Sequence, residues 1–437
     1  MTDYFDMINS GTDARTEVIA GITAFLSAMY IIVVNPAILA GAGIPHPASL
    51  TATVLVSAIS SILMGIYANT PIVVAPGMSL NHMFVTIIAR TEGVGYETAL
   101  GCVFYSGVIF LLLIIFDRRR ALINGVPRML RYGLAGGIGL FIALIGMKSA
   151  GFIVGRPEGG MALGKLSPAV LTFIACFVIT AGFVIRKTRG AFIWGVLVST
   201  LIALPLGRWW GDEPVVAWQG FWGAPDFSLL LRLDLVGPLS LVHLPIIIVL
   251  VFTSFFDSYS TCVGVCEAGD LVDEHGEPVA VRESLACNAA AVALSGIVGT
   301  SSAAAYIESS TGVRAGGRTG LTAVVAGILF LPFLFVSPLI SLIPSIATAP
   351  ILIMAGVFML KPLIYVRWER FDEAIPFFIA MIIMPLSQSI TQGVIWGMLS
   401  WTVIKLACGR FRQISWIVIV LDFMAVFLLI HMETFRH

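Results

Sequence analysis

About fourteen stretches of nearly unbroken apolar sequence, each near the roughly 20 residues that a bilayer-crossing helix needs, follow one another along this chain. They lie near 17–34, 49–68, 71–89, 98–116, 129–151, 167–186 and 190–206, then near 243–265, 284–297, 300–311, 317–336, 348–363, 373–389 and 391–407. A further run, 413–431, is either an extra span or a re-entrant, interfacial or merged piece. Of the 437 residues, 58% are hydrophobic and 11% charged, too few charges to clothe a water-soluble globule. Barrel strands would be short and alternating, so a β-barrel is excluded as well. The expected fold is an all-α polytopic membrane protein.

The formal net charge is zero, which gives no reason to expect a nucleic-acid partner. The N-terminus carries Asp3, Asp6 and Asp13 and lacks the basic opening of a cleavable signal. Cys102, Cys176, Cys262, Cys266, Cys287 and Cys408 are scattered, without histidines or cysteines at zinc-site spacing. No phosphate-binding loop and no hydrolase or metalloprotease motif occurs. The chain is expected to be no enzyme and to need no cofactor or metal.

Basic residues set the orientation. With a cytoplasmic N-terminus and one crossing per run, loops placed inside hold most of the 25 lysines and arginines, including Arg118, Arg119, Arg120, Arg128 and Arg131. Loops placed outside hold Arg90, Lys148, Arg156, Lys165, Arg208 and Arg232. That bias supports the threading. Seven runs followed by seven more give halves of opposite topology, as in many secondary transporters. The expected divisions are a first repeat over 1–210, a tryptophan-rich outer loop over 211–242 and a second repeat over 243–437.

The third run contains "VAPGMSLNHMF", Val74–Phe84, and the tenth contains "VGTSSAAAYIESSTG", Val298–Gly312. Both are broken by glycine or proline, and both carry polar side chains at membrane depth. Unpaired backbone survives there only when buried in protein or lining a cavity. Pro76-Gly77 and Gly299-Thr300 are therefore expected to end two short extended pieces, with half-helices starting near Ser79 and Ser302. Free N–H groups at those starts suit an electron-rich ligand atom. Paired interruptions at matching places are a sequence pointer to a transporter's binding site.

Two carboxyls stand inside apolar runs. Asp257 lies in "VLVFTSFFDSYSTCVGV", and Glu308 is expected one or two turns into the second half-helix. A buried acid there costs about 2.5–3.5 kcal/mol on insertion scales, which marks it as functional by default. Such groups can hold a ligand's N–H and take up or release protons. Asn81 either meets a ligand edge or clamps the broken helix to a neighbour; His82 is either a packing residue or a ligand or proton contact.

Taken together, these segments resemble the AzgA-like purine permeases of the nucleobase–cation symporter superfamily, nearly end to end. The likeness is carried by "GITAFLSAMYIIVVNPAILAGAG", "VAPGMSLNHMF", "GGIGLFIALIGMKSAG", "FFDSYSTCVGV" and, most specifically, "GTSSAAAYIESSTGVRAGGRTGLTAVVAG". It implies a core of spans 1–4 and 8–11 moving, elevator-like, against a gate of spans 5–7 and 12–14. It also implies proton-coupled uptake of a purine or related heterocycle across a bacterial inner membrane, in an architecture that admits a homodimer. Asp257 and Glu308 would hold the base and couple it to protons. Asn81 would support the broken third span, and Ser79, His82, Ser309, Phe25 and Tyr259 would complete the binding set. The chain departs from the family pattern at Ser79, His82, Ala303–Ala305, Ser258–Ser260 and Asn288. An anion transporter or channel of the same inverted-repeat fold is the competing reading; it calls for a basic residue or an open helix dipole in place of two buried acids.

Overall fold

The computed structural model describes residues 4–90, 94–116, 127–156, 160–186, 188, 191–210, 222–240, 243–269, 271, 279–336, 345–387 and 390–414, with 418, 419, 422, 423, 425, 426 and 429 beyond them. In the first half, α1 (Ala14–Ala28) and α2 (Ile31–Ala40) form one broken span, followed by α3 (His46–Leu63), which ends in a widened turn over Met64–Ala68. Strand β1 (Val74–Pro76) leads into α4 (Met78–Arg90), then α5 (Tyr96–Phe116) and α6 (Arg128–Ser149). A hairpin of β2 (Ile153–Gly155) and β3 (Met161–Leu163) precedes α7 (Pro168–Ile185) and α8 (Ala191–Trp210). The second half runs α9 (Leu244–Ala268), α10 (Val281–Val298), β4 (Ala303–Ala305), α11 (Ser309–Arg314), α12 (Gly320–Phe330), α13 (Ser345–Met359), α14 (Phe371–Ser387) and α15 (Ile390–Ala407).

Each half thus has a strand followed by a short helix as its third span. Among the described residues, seven helical stretches are long and apolar enough to cross a membrane, from Ala14–Ala40 to Val281–Val298. The chain is a polytopic helical membrane protein. In the last apolar run, 418, 419, 422, 423, 425, 426 and 429 are helical; the residues between and after them, like 211–221 and 272–278, lie outside the described set.

Small residues let the spans approach closely, as expected where lipid offers no hydrophobic contrast. A Cβ on Gly21 of α1 would sit 2.7 Å from the Thr322 carbonyl of α12, and one on Gly139 of α6 would sit 2.7 Å from the Gly356 carbonyl of α13. The helices sort into two packed groups: α1, α3, α5, α9, α10 and α12 against one another, and α6, α7, α8, α13, α14 and α15 against one another. In the second group the buried Lys405 of α15 is held by Asp372 of α14 at 2.6 Å. Such a charge is tolerated only with its partner.

Glu17 performs a task the sequence reading did not assign. It is fully buried in α1, and one carboxylate oxygen accepts the N–H of Arg318 (2.8 Å) and of Thr319 (3.2 Å). The other accepts the N–H of Thr322 (3.2 Å) and its hydroxyl (2.6 Å). These donors lie at or just before the start of α12, where only Thr322 N–H also reaches a local carbonyl, that of Thr319 (3.3 Å), so Glu17 caps the helix from another span. Asn69, in a left-handed conformation with φ of 51°, takes the Gly320 N–H at 2.8 Å.

At the N-terminal end of α5, the half-buried Asp234 accepts the N–H groups of Val236 (2.9 Å) and Gly237 (3.1 Å) and the Thr98 hydroxyl. The N–H donors of Val236 and Gly237 hold its carboxyl below the usual carboxylate range. A depressed native value gives stability that is complete above the unfolded value, about 3.9, and is lost as pH falls towards the native one. Asp234→Asn is therefore expected to melt below the parent at neutral pH, with the two curves converging as pH falls below the unfolded carboxylate range. A gap unchanged with pH would refute this.

Candidate functional site

β1 and β4 meet as an antiparallel pair with Val74 opposite Ala305, Ala75 opposite Ala304 and Pro76 opposite Ala303. The pair is extended by Gly77 N–H to the Ser302 carbonyl (3.0 Å) and Tyr306 N–H to the Val73 carbonyl (2.9 Å). Two strands alone leave outer edges, which hydrocarbon does not tolerate. Side chains from the helices close them. The Ser61 hydroxyl of α3 serves both the N–H and the carbonyl of Val74, each at 3.0 Å. The Ser309 hydroxyl accepts the Val73 N–H at 2.9 Å, and the Tyr306 hydroxyl donates to the Pro76 carbonyl at 2.6 Å.

The second interruption differs from its sequence expectation in three ways. Gly299 does not end the extended piece; with φ of 96° it closes α10, and the strand follows at Ala303. The half-helix starts at Ser309, not near Ser302, because Ala303–Ala305 are committed to pairing with β1 and Tyr306–Glu308 turn the chain. Glu308 accordingly occupies the position just before α11, not one or two turns inside it. The first interruption falls where expected, with β1 ending at Pro76 and α4 starting at Met78.

A polar layer ties the two breaks to their neighbours. The Ser301 hydroxyl lies 2.5 Å from Asn81 Oδ1 and 3.3 Å from Asn35 Oδ1. Asn35 Nδ2 donates to Thr53 (2.7 Å) and Thr300 (3.0 Å), and the Ser254 and Ser302 hydroxyls pair at 3.1 Å. Asn81 thus bonds across to the second broken span, and its Nδ2 is buried without a hydrogen-bond partner among the described residues. Asn288 of α10 donates to Ser258 at 2.5 Å, beside Asp257.

A small cavity opens between these breaks and the other helix group. Tyr30, Gly77, Met78 and Ala304–Glu308 line it from the interrupted spans, Asp257 and Thr261 from one face of α9, and Ile142 and Met359 from α6 and α13. Glu308 is buried, and its Oε1 accepts the Tyr30 hydroxyl at 2.7 Å. Asp257 is buried too. Two carboxyls face the cavity, and no lysine, arginine or histidine is among its described lining residues. The site therefore favours ligands rich in N–H donors over anions.

The structure brings Asp257 and Glu308 to one cavity. Ser309 lies one residue beyond Glu308, holding β1. Phe25 is set apart, its ring 5.0 Å from Phe330 and 5.8 Å from Phe333. Tyr259 stacks on Phe255 at 6.1 Å and is not a lining residue. Ser79 and His82 belong to α4, and their side chains lie outside the described residues. Tyr30 and Tyr306 were missed from the sequence; a lone phenol closing an apolar span was the available signal for Tyr30. Among the described residues no group of three or more His, Cys, Asp and Glu side chains could hold a metal ion.

The sequence profile of the permease family, Xan_ur_permease, matches residues 15–395. The adenine permease AdeP of Escherichia coli K12 is 38% identical over 432 residues, which cover 98% of this chain and 96% of that protein. The guanine/hypoxanthine permease PbuO of Bacillus subtilis 168 is 35% identical over 438 residues, covering 97% of this chain and all of that one. Among solved structures, the transmembrane domain of the cyanobacterial bicarbonate transporter BicA superposes with a TM-score of 0.64, covering 88% of this chain and 97% of that one. At 15% identity that likeness is one of fold.

Proposed function

The chain belongs to the permease family, a transporter and not an enzyme, and on that premise we propose that it carries a purine nucleobase into the cell together with protons. One observation bears most of this reading: Asp257 and Glu308, on different elements, line a cavity built by two interrupted spans. A purine edge offers N–H donors to carboxylates and ring nitrogens to backbone N–H groups or to a protonated carboxyl. Both relatives named above act on purine bases, which supports the same substrate class here.

The proposed movement is elevator-like. The packed group containing α1–α5 and α9–α12 carries the bound base past the group containing α6–α8 and α13–α15. The cavity lies at their boundary, with Ile142 and Met359 on the far wall, as such a movement requires. The same proposal places the protein in a bacterial inner membrane with its N-terminus cytoplasmic, from the distribution of basic residues. It also includes a homodimer, tested by the mass of the detergent-solubilised protein. Anion transport, which the fold alone would allow, is disfavoured by a lining with two acids and no described cationic side chain.

Uptake of labelled adenine and hypoxanthine by cells overproducing the protein tests the reading. Uptake above the vector control is expected, collapsing when an uncoupler removes the proton gradient. Uptake that ignores the uncoupler would sink proton coupling. An anion flux with no purine transport would sink the substrate class.

A further inference from the structure

The first span breaks between α1 and α2, and Tyr30 at the break stands in the cavity wall beside Glu308. We propose that Tyr30 is a positioning residue for substrate recognition, which holds one oxygen of Glu308 so that the other is presented to the base. The inference rests on the transport reading above and adds the group that fixes its key carboxyl.

The phenol is 2% exposed and Glu308 5%, and their bond of 2.7 Å crosses between spans 278 residues apart in sequence. A phenylalanine would fill the same volume while removing the hydroxyl that holds Glu308. Glu308 sits just before α11, in a turn. A carboxyl there has rotational freedom that a donor from a separate span removes. The Tyr306 ring lies 6.3 Å away, but its hydroxyl is spent on the Pro76 carbonyl, leaving Tyr30 as the phenol that addresses Glu308.

With Oε1 engaged by Tyr30, the proposal assigns Oε2 to the ligand. Ionised, it accepts a purine N–H; protonated, it donates to a ring nitrogen. Tyr30 thereby directs both the proton and the base to the same atom, which ties their exchange together. Among the described residues, the other ionisable groups lining the cavity with Glu308 and Tyr30 are Tyr306 and, on α9, Asp257. A donor to the carboxylate biases its protonation. Losing that donor must therefore change how base affinity depends on pH, an effect that mere packing would not produce.

The test is Tyr30→Phe, assayed by labelled adenine uptake across pH and by thermal melting of the purified protein. The variant is expected to fold, to raise KM about tenfold with a nearly unchanged maximal rate, and to displace the pH profile of KM from the parent's. A profile that superimposes on the parent's overturns the proposal, whatever happens to KM. A second measurement uses the Glu308→Ala background, which leaves the Tyr30 hydroxyl no side-chain acceptor at that position. Adding Tyr30→Phe there leaves adenine-dependent thermal stabilisation unchanged, whereas a loss as large as in the parent background overturns it. An unmodified protein that neither transports nor is stabilised by any purine would instead refute the transport reading itself.

Discussion

Glu17→Ala lowers the stability of the folded protein by about 3–5 kcal/mol, seen as a strongly reduced melting temperature in detergent. The carboxylate takes the N–H groups of Arg318, Thr319 and Thr322 and the Thr322 hydroxyl, all at a site with no solvent exposure. Removing it strands the Thr319 N–H and the Thr322 hydroxyl at buried positions and weakens the hold on the Arg318 and Thr322 N–H groups, and an unmet buried donor costs about 1–3 kcal/mol. Several are lost together, and the void left in α1 adds to the cost. Glu17→Gln is expected to fall between, since an amide keeps one acceptor oxygen but turns an NH₂ towards other donors. A melting temperature for Glu17→Ala within a degree or two of the parent would show that α12 is held by packing alone.

Glu308→Gln is expected to cut purine uptake on the order of 100-fold while the protein still folds. Glutamine keeps the shape of the side chain, and its carbonyl oxygen still accepts the Tyr30 hydroxyl seen at 2.7 Å. It loses the negative charge that strengthens a bond to a base N–H, and it loses the exchangeable proton. Residual uptake should also cease to respond to an uncoupler. If the variant transported at the parent's rate with the same uncoupler sensitivity, Glu308 would be a structural group and the carrier chemistry would have to rest on Asp257.

Features governed by the solvent were legible in the sequence. Lipid demands long apolar runs, so the spans could be placed from residue types alone, and the Pro76-Gly77 break could be placed by the same logic. Asp257 and Glu308 stood out because an acid at membrane depth is costly unless used. What escaped were pairings between distant residues. The start of α11 was misjudged by several residues because the partner of Ala303–Ala305 is a strand in the other half of the chain. Glu17 opens its apolar run like any flanking acid, and only its contacts some 300 residues later reveal the cap. Phe25 shares a span with Tyr30, yet the ring went to Phe330 and the phenol to Glu308, a choice set by helix rotation.

The strand pair at the centre has a bearing on how the molecule is made. Tyr306 reaches Pro76 across 230 residues of chain, and a ribosome adding about 5–20 residues per second takes roughly 10–50 s to bridge that gap. Throughout that interval Val74–Pro76 is already synthesised, with no Ala303–Ala305 to pair with. Its backbone needs a temporary host: the Ser61 hydroxyl, water in an unsealed vestibule, or a membrane chaperone. A nascent chain stopped before the tenth span therefore carries an open strand edge inside the bilayer. Pairing of Val74–Pro76 with Ala303–Ala305 then closes that edge, so the strand pair is complete only once both halves of the chain have been made.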